Sequence, residues 1–265
     1  MISARLAYDI IARVAGPFVA QRQPLLILMY HCVQDNPTGI DYVPVNVFRR
    51  HVAYLVDQGY KFQTMRQVYE NWPAVVAGPK AVVLTFDDLW ASQVDECLPI
   101  IKKYEGVGTF FVSTAHVGDR RRRPSGSPFG RCYSELGSWK DVRTLESSGM
   151  EIGAHTHTHP RMSDLSREQV REELETSNRI LADFVNSPAV SFAFPFGRPS
   201  SYSPWIVSML PTFGYKTACT TQWGRPVAGG SLLELPRIAI DGSDNLRRFA
   251  MKLRGDYDFL RWLKR

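Results

Sequence analysis

The strongest constraint on this chain is a series of seven short, nearly continuous apolar runs, at residues 25–30, 81–86, 107–113, 151–155, 190–194, 216–220 and 235–240. Runs that lack polar alternation fit strands covered on both faces, the usual condition of a parallel sheet. The segments between them carry helical patterns, so they read as crossovers of an α/β fold. Asn46 is placed to cap a helix to about Gln58, closed by Gly59. Ser138 with Asp141 opens another that Gly149 ends, and Ser166 with Gln169 forms a capping box before an amphipathic run to about Phe184. Strands joined in this way predict a barrel.

With 265 residues, 44% of them apolar and 12% aromatic, the chain can bury a substantial core, which excludes disorder, collagen and coiled coil. Arg5, Asp9 and Arg13 interrupt the most apolar terminus. They leave no run of the roughly 18 to 20 apolar residues a membrane span needs, and they break the apolar stretch of a secretory leader. A cytoplasmic protein is expected. Cys32, Cys97, Cys132 and Cys219 are scattered without ligand-pair spacing and read as buried thiols.

The net charge of +6 is unevenly placed: residues 1–24 carry +2, Arg120–Arg123 +4 and residues 244–265 +4, which leaves the remaining body at about −4. Such a distribution favours an anionic surface partner over a charged central cleft, with no nucleic-acid partner expected. The basic loop at 119–131 is either solvated or a contact for phosphate or an anionic polymer. No repeat or linker divides the chain, so one barrel at 25–243 is expected between amphipathic segments at 1–24 and 244–265. Ile2, Leu6, Ile10 and Val14 repeat every four residues opposite Arg5, Asp9 and Arg13. Leu246, Phe249, Leu253, Tyr257 and Leu260 form a similar row among seven basic residues. These rows either pack on the barrel or on a second subunit in a homodimer, or they lie on an anionic bilayer at the inner membrane face.

Polar residues fall where strands end. Asp87 and Asp88 follow the run at 81–86, His31 follows that at 25–30, His155 closes 151–155, and Pro195-Phe196-Gly197 follows 190–194. The carboxyl edge is where α/β barrels assemble their active sites. Adjacent carboxylates on a buried strand repel, and a cation is the natural remedy. Because successive side chains of an extended chain point opposite ways, both can serve one site only if the strand is ending.

His155-Thr156-His157-Thr158-His159-Pro160 gathers three of the six histidines within five residues. On a straight strand His155 and His159 would stand about 13 Å apart, too far to share an ion with bonds of about 2.1 Å, so the chain must bend there. Pro160 assists by disfavouring helical geometry at His159. Asp88, His155 and His159 then offer two nitrogens and one oxygen with a position left for water, as in catalytic zinc-type sites. Zinc is foremost, although this ligand set suits cobalt, nickel and iron as well. His157 is expected to point away from the ion.

Thr85-Phe86-Asp87-Asp88, His155 to Pro160 about 65 residues later, and Phe194-Pro195-Phe196-Gly197 resemble, in this order, the first three motifs of the NodB-homology polysaccharide deacetylases, carbohydrate esterase family four. The similarity runs from about Leu25 to Ile240. It implies a distorted (β/α)7 barrel that removes N-acetyl groups from hexosamine residues with a divalent metal. By the same resemblance Asp87 is the base, Asp88, His155 and His159 bind the metal, and the Phe196 backbone N–H faces the site. Two departures stand out. Ala193 occupies the place of the family's third-motif Arg, and Leu235-Pro236-Arg237 replaces the Leu-x-His that supplies the acid. The expectation is that Arg237 orients and stabilises Asp87 while His31 donates the proton. The fourth motif has no counterpart, and Trp223 is a candidate wall of the sugar site.

Three classes of function follow. A metal-dependent N-deacetylase of a polysaccharide or its lipid-linked precursor leads. A metal hydrolase of another amide or ester on the same barrel, and a catalytically silent saccharide-binding protein, are the alternatives. A mere binder has no need of Asp-Asp with His-x3-His, which argues against the last.

Overall fold

The computed structural model describes residues 4–14, 16, 25–35, 42–118 and 135–263. Ile2, the Arg120–Arg123 run with its loop, and Cys132 lie outside the described residues. In chain order, helix α1 (Ala4–Val14) precedes β1 (Leu25–Tyr30), β2 (Cys32–Val33), β3 (Tyr42–Val43), α2 (Val45–Asp57), β4 (Lys61–Gln63), α3 (Met65–Glu70) and β5 (Ala81–Phe86). A π-helical turn at Gln93–Cys97 leads into α4 (Leu98–Lys103), followed by β6 (Thr109–Val112), α5 (Trp139–Ser147), β7 (Glu151–Ala154) and α6 (Arg167–Phe184). Then come β8 (Ser191–Ala193), α7 (Pro204–Met209), β9 (Thr217–Trp223), β10 (Leu235–Ala239), α8 (Leu246–Arg254) and α9 (Leu260–Leu263).

Seven parallel strands close in the order β1-β10-β9-β8-β7-β6-β5, sealed by six residue pairs between β1 and β5. This is the barrel anticipated from the seven runs, in the (β/α)7 form that the family resemblance implies. Its distortion has a local cause. β1 takes one edge of β5 along its full length, so β4, pairing with Ala81–Val83, and β6, pairing with Thr85 and Phe86, must share the other edge.

Period-two alternation sorts each strand into an inner and an outer set. Leu25, Ile27, Ala81, Val83, Phe111, Ala193, Cys219 and Leu235 form one buried cluster inside the barrel. Leu26, Leu28, Val82, Leu84, Phe110, Val112, Ile152 and Phe192 belong to a second cluster under the helices. Gly153 is small because the inner space beside it is taken: a Cβ there would stand 2.5 Å from Phe111 Cδ1. Counting upward by two from the inner residues leads to His31, Asp87, His155 and Arg237, so the same parity that fills the barrel aims these side chains into its mouth.

The capping boxes at Ser138/Asp141 and Ser166/Gln169 are formed. The helix expected from Asn46 begins two residues earlier, at Val45, with Pro44 at the cap and no side-chain cap bond. The fixed φ of proline presets that first turn. Cys32, Cys97 and Cys219 are buried thiols. Among the described residues no helix is long and apolar enough to cross a membrane.

Candidate active site

Strand β5 ends at Phe86, and the backbone turns left-handed immediately, with φ of 76° at Asp88 and 54° at Leu89. That reversal lets two consecutive aspartates reach the same mouth. The histidine loop bends by the same device, with φ of 64° at Thr156 and 59° at His159 bringing the two imidazole centroids within 4.8 Å. Phe196 has φ of 62°. Five of the six non-glycine residues with left-handed backbone among the described residues thus sit at this site. Each such residue costs on the order of 1 kcal/mol, tolerated only where the surroundings enforce it.

What enforces the histidine loop is visible. Glu173 of α6 accepts hydrogen bonds from the N–H groups of His157 and Thr158, both at 2.8 Å, and from Thr158 Oγ1 at 2.6 Å. His157 turns its ring aside, its Nδ1 lying 2.8 Å from Thr114 Oγ1. At the other loop, buried Gln93 donates to the carbonyls of His31 and Asp87 at 2.9 and 2.7 Å, tying the ends of β1 and β5 together. Neither Glu173 nor Gln93 was foreseen, since nothing in their local sequence connects them to the mouth.

Asp88, His155 and His159 converge: one donor atom from each lies within 4.8 Å of the others, with His155 Nε2 at 3.7 Å and His159 Nε2 at 3.6 Å from Asp88 Oδ1. Two donors bonded to one ion at about 2.1 Å and a tetrahedral angle stand about 3.4 Å apart, so the separations of the two imidazoles from Asp88 Oδ1 fit. The tautomer fits too. His155 Nδ1 lies 2.7 Å from the Ala193 carbonyl, which can only accept, so Nδ1 carries the proton and the Nε2 lone pair faces Asp88. Two imidazole nitrogens with a carboxylate oxygen form a donor set for a borderline divalent metal.

Beside this group, Asp87 is gripped from β10. Arg237 Nη1 and Nη2 donate to its two oxygens at 2.7 and 2.8 Å, while Nε donates to the Thr220 carbonyl and Nη1 also to Thr85 Oγ1. Burial alone would raise the Asp87 pKa, but the Arg237 charge and its hydrogen bonds, with His155 and His31 nearby, together hold it well below the usual carboxylate range. Thr85 belongs to the first quartet read in the sequence, and its inward parity with Asp87 was the available signal for its role. His31 reaches the same carboxylate from β1, with Nε2 3.9 Å from Asp87 Oδ2 and its side chain 30% exposed.

Phe196, 37% exposed, stands at the rim, its ring 5.1 Å from the His159 ring and capped by the Arg161 guanidinium at 5.0 Å. Hydrogen bonds from Gly197 to Pro195 and from Thr221 to the Phe196 carbonyl fix its turn, and none of these uses the Phe196 N–H. Gly197, with φ of 56°, admits no side chain: a Cβ would stand 2.5 Å from the Thr221 nitrogen. Trp223 is not brought into this group. It is buried under the C-terminal segment, with Nε1 directed to Asp258 and Lys252 over its ring.

The Polysaccharide deacetylase family model matches residues 74–217. The chain is 22% identical over 221 residues to YxkH of Bacillus subtilis (strain 168), covering 82% of this chain and 71% of that one. It is 23% identical over 264 residues to the poly-beta-1,6-N-acetyl-D-glucosamine N-deacetylase of Escherichia coli (strain K12), covering 85% of this chain but only 38% of that protein. Among solved structures, the Streptococcus pyogenes deacetylase PplD in complex with acetate superposes with a TM-score of 0.73 at 25% identity, over 88% of this chain and 98% of that one. IcaB from Ammonifex degensii gives 0.73 at 22% identity, over 89% and 98%, a likeness of fold.

Proposed function

The chain belongs to the polysaccharide deacetylase family, and from that premise we propose that it is a metal-dependent hydrolase that removes N-acetyl groups from hexosamine residues of a polysaccharide or its lipid-linked precursor. One observation carries the reading. A carboxylate kept ionised by a bidentate arginine stands next in sequence to a second carboxylate that shares a donor cluster with two imidazoles. The E. coli relative, named for its action on a polymer of N-acetylglucosamine, supports the sugar class.

Asp88, His155 and His159 would hold a divalent ion, zinc foremost, which when bound supplies Lewis acidity that polarises the acetamide carbonyl and lowers the pKa of water. Asp87 accepts the proton of the attacking water. A carboxylate held this far below its ordinary range is a weak base toward ordinary water, which is why the site depends on that acidification. Arg237 keeps Asp87 ionised and fixes the plane of its two oxygens. The Phe196 N–H donates to the oxyanion of the tetrahedral intermediate, a contribution whose loss typically costs about 10² to 10³ in rate. His31, on the solvent side of Asp87, donates the proton that the departing amine requires. The exposed face of Phe196 offers the sugar ring an apolar platform.

Acetate release from N-acetylglucosamine oligomers, measured before and after chelation, tests the reading. Release should cease with chelator and return on adding zinc or cobalt. Release indifferent to chelation, or absent from every N-acetylated oligomer tried, contradicts it.

A further inference from the structure

Both ends of the chain carry an apolar row among basic residues, and the fold treats the two rows oppositely. In α8, Phe249 and Leu253 are buried, and the His51 ring stacks on Phe249 at 3.9 Å between centroids. In α1 the apolar row instead faces outward and the opposite side packs inward: Asp9 is paired with Arg248 and Tyr257, Tyr8 packs near Phe259, and Ala12 is buried. Leu6, Ile10 and Val14, one helical turn apart, are left 51%, 47% and 69% exposed. A helix pinned by one side with its apolar row left outward is the arrangement of a surface that something else covers.

We propose that this row is a docking face for the surface of a bilayer containing anionic lipid. Charge favours that occupant. Arg13, on the same helix, lines a surface groove with Arg247 and Arg254 of α8. Arg254 is paired with Asp256, whereas Arg13 and Arg247 have no ion-pair partner among the described residues. Trp262 is 50% exposed with the Arg261 guanidinium 4.3 Å above its ring, an aromatic and cation pairing suited to the headgroup region. Area argues against a second copy. With Ile11, 38% exposed on the same helix, the four aliphatic side chains present about 300 to 400 Å², well under the roughly 800 Å² each partner contributes to a stable interface. Interfacial insertion requires only the row itself.

Position gives the face a consequence. Tyr8 and Asp9 line a cavity together with Trp223 and Asp241, which lie at the carboxyl ends of β9 and β10. A bilayer against α1 therefore lies beside the barrel edge that carries the active-site residues. This inference stands independently of the hydrolytic reading, since vesicle binding is measured without turnover.

Flotation with vesicles of phosphatidylcholine and phosphatidylglycerol in equal amounts, against pure phosphatidylcholine, tests it. The protein should float with the anionic vesicles at low salt, less with the neutral ones, and less as salt rises. Ile10→Glu with Val14→Glu, and separately Arg13→Glu with Arg247→Glu, should each lower partitioning about tenfold or more. Thermal melting and acetate release from soluble oligomers should stay at wild-type values, since all four side chains are exposed and none belongs to the site. Ile10→Ser with Val14→Ser serves as the milder apolar variant should the glutamates disturb folding. Wild-type protein that stays in the soluble fraction at low salt overturns the inference, as does a serine variant that floats undiminished. So does a lipid-free dimer that the serine variant dissociates, since that assigns the row to a second copy.

Discussion

Arg237 with Asp87 at the barrel mouth and Arg225 with Asp258 under the C-terminal segment are both ion pairs sealed from solvent, yet their surroundings differ. Around Arg225 and Asp258 the remaining hydrogen-bonding capacity is spent on structure: Arg225 also donates to the Lys252 carbonyl, and Trp223 Nε1 points at the same aspartate. Asp87 instead lies between its arginine, the partly exposed His31 and the donor cluster of Asp88. Burial of an ion pair therefore does not mark a site by itself. The mark is an ionised carboxylate with titratable neighbours still facing the mouth, and the two pairs should answer differently to mutation.

The largest effect is expected at the mouth. Asp87→Asn should lower amide hydrolysis by about 10² to 10⁴ at unchanged metal content, and His31→Ala should depress turnover with metal retained, both checked by acetate release beside elemental analysis. Full activity in the first variant would remove the distinction between the pairs. At the terminal pair, Asp258→Ala leaves a buried guanidinium uncompensated and should destabilise by about 3 to 5 kcal/mol, a Tm loss of roughly 10 °C, with kcat of the folded fraction unchanged. A fall in kcat without a fall in Tm would reverse the assignment.

Glu173 sharpens the comparison from outside the mouth. Acting through the histidine loop, it is a positioning residue, and Glu173→Ala should weaken metal affinity about 10- to 100-fold in a direct titration while leaving Tm nearly unmoved. The smallest effect belongs to pH and to the terminal region. Burial, with Lys252 and Arg50 adding to it and the Asp244 carbonyl opposing, lowers the His51 pKa to about 4. The unfolded chain then binds more protons between pH 6.5 and about 4, so this stability is full above the unfolded pKa and lost on acidification, by roughly 1 kcal/mol near pH 5.5. Urea midpoints across that window should fall in the wild type and fall less in His51→Gln.

The barrel was legible because its signal is local. All seven apolar runs became strands within three residues of their expected ends. β4 was not, since Lys61–Gln63 is short and half-exposed and pairs with only half of one edge of β5. Asn46 misled because a polar residue beside a helix start outweighed the proline two places earlier that fixes the turn. At the site, strand-end placement and the histidine spacing singled out Asp87, Asp88, His155 and His159, which the fold brings together at the barrel mouth. The left-handed turn that aims both aspartates inward, and the reach of Glu173 and Gln93 into the two loops, depend on contacts between residues distant in sequence. Nor does the periodicity of α1 say which face turns inward, because an ion pair from Asp9 to Arg248, far along the chain, decides it.

Titration of the metal-free protein with cobalt, read by its visible absorption, goes most directly to the central claim that Asp88, His155 and His159 grip one ion. The account predicts saturation at one equivalent per chain, with the bands of a low-symmetry nitrogen and oxygen site, and loss of those bands in His159→Ala. No stoichiometric uptake by the wild type, or uptake unaltered by that substitution, would contradict it.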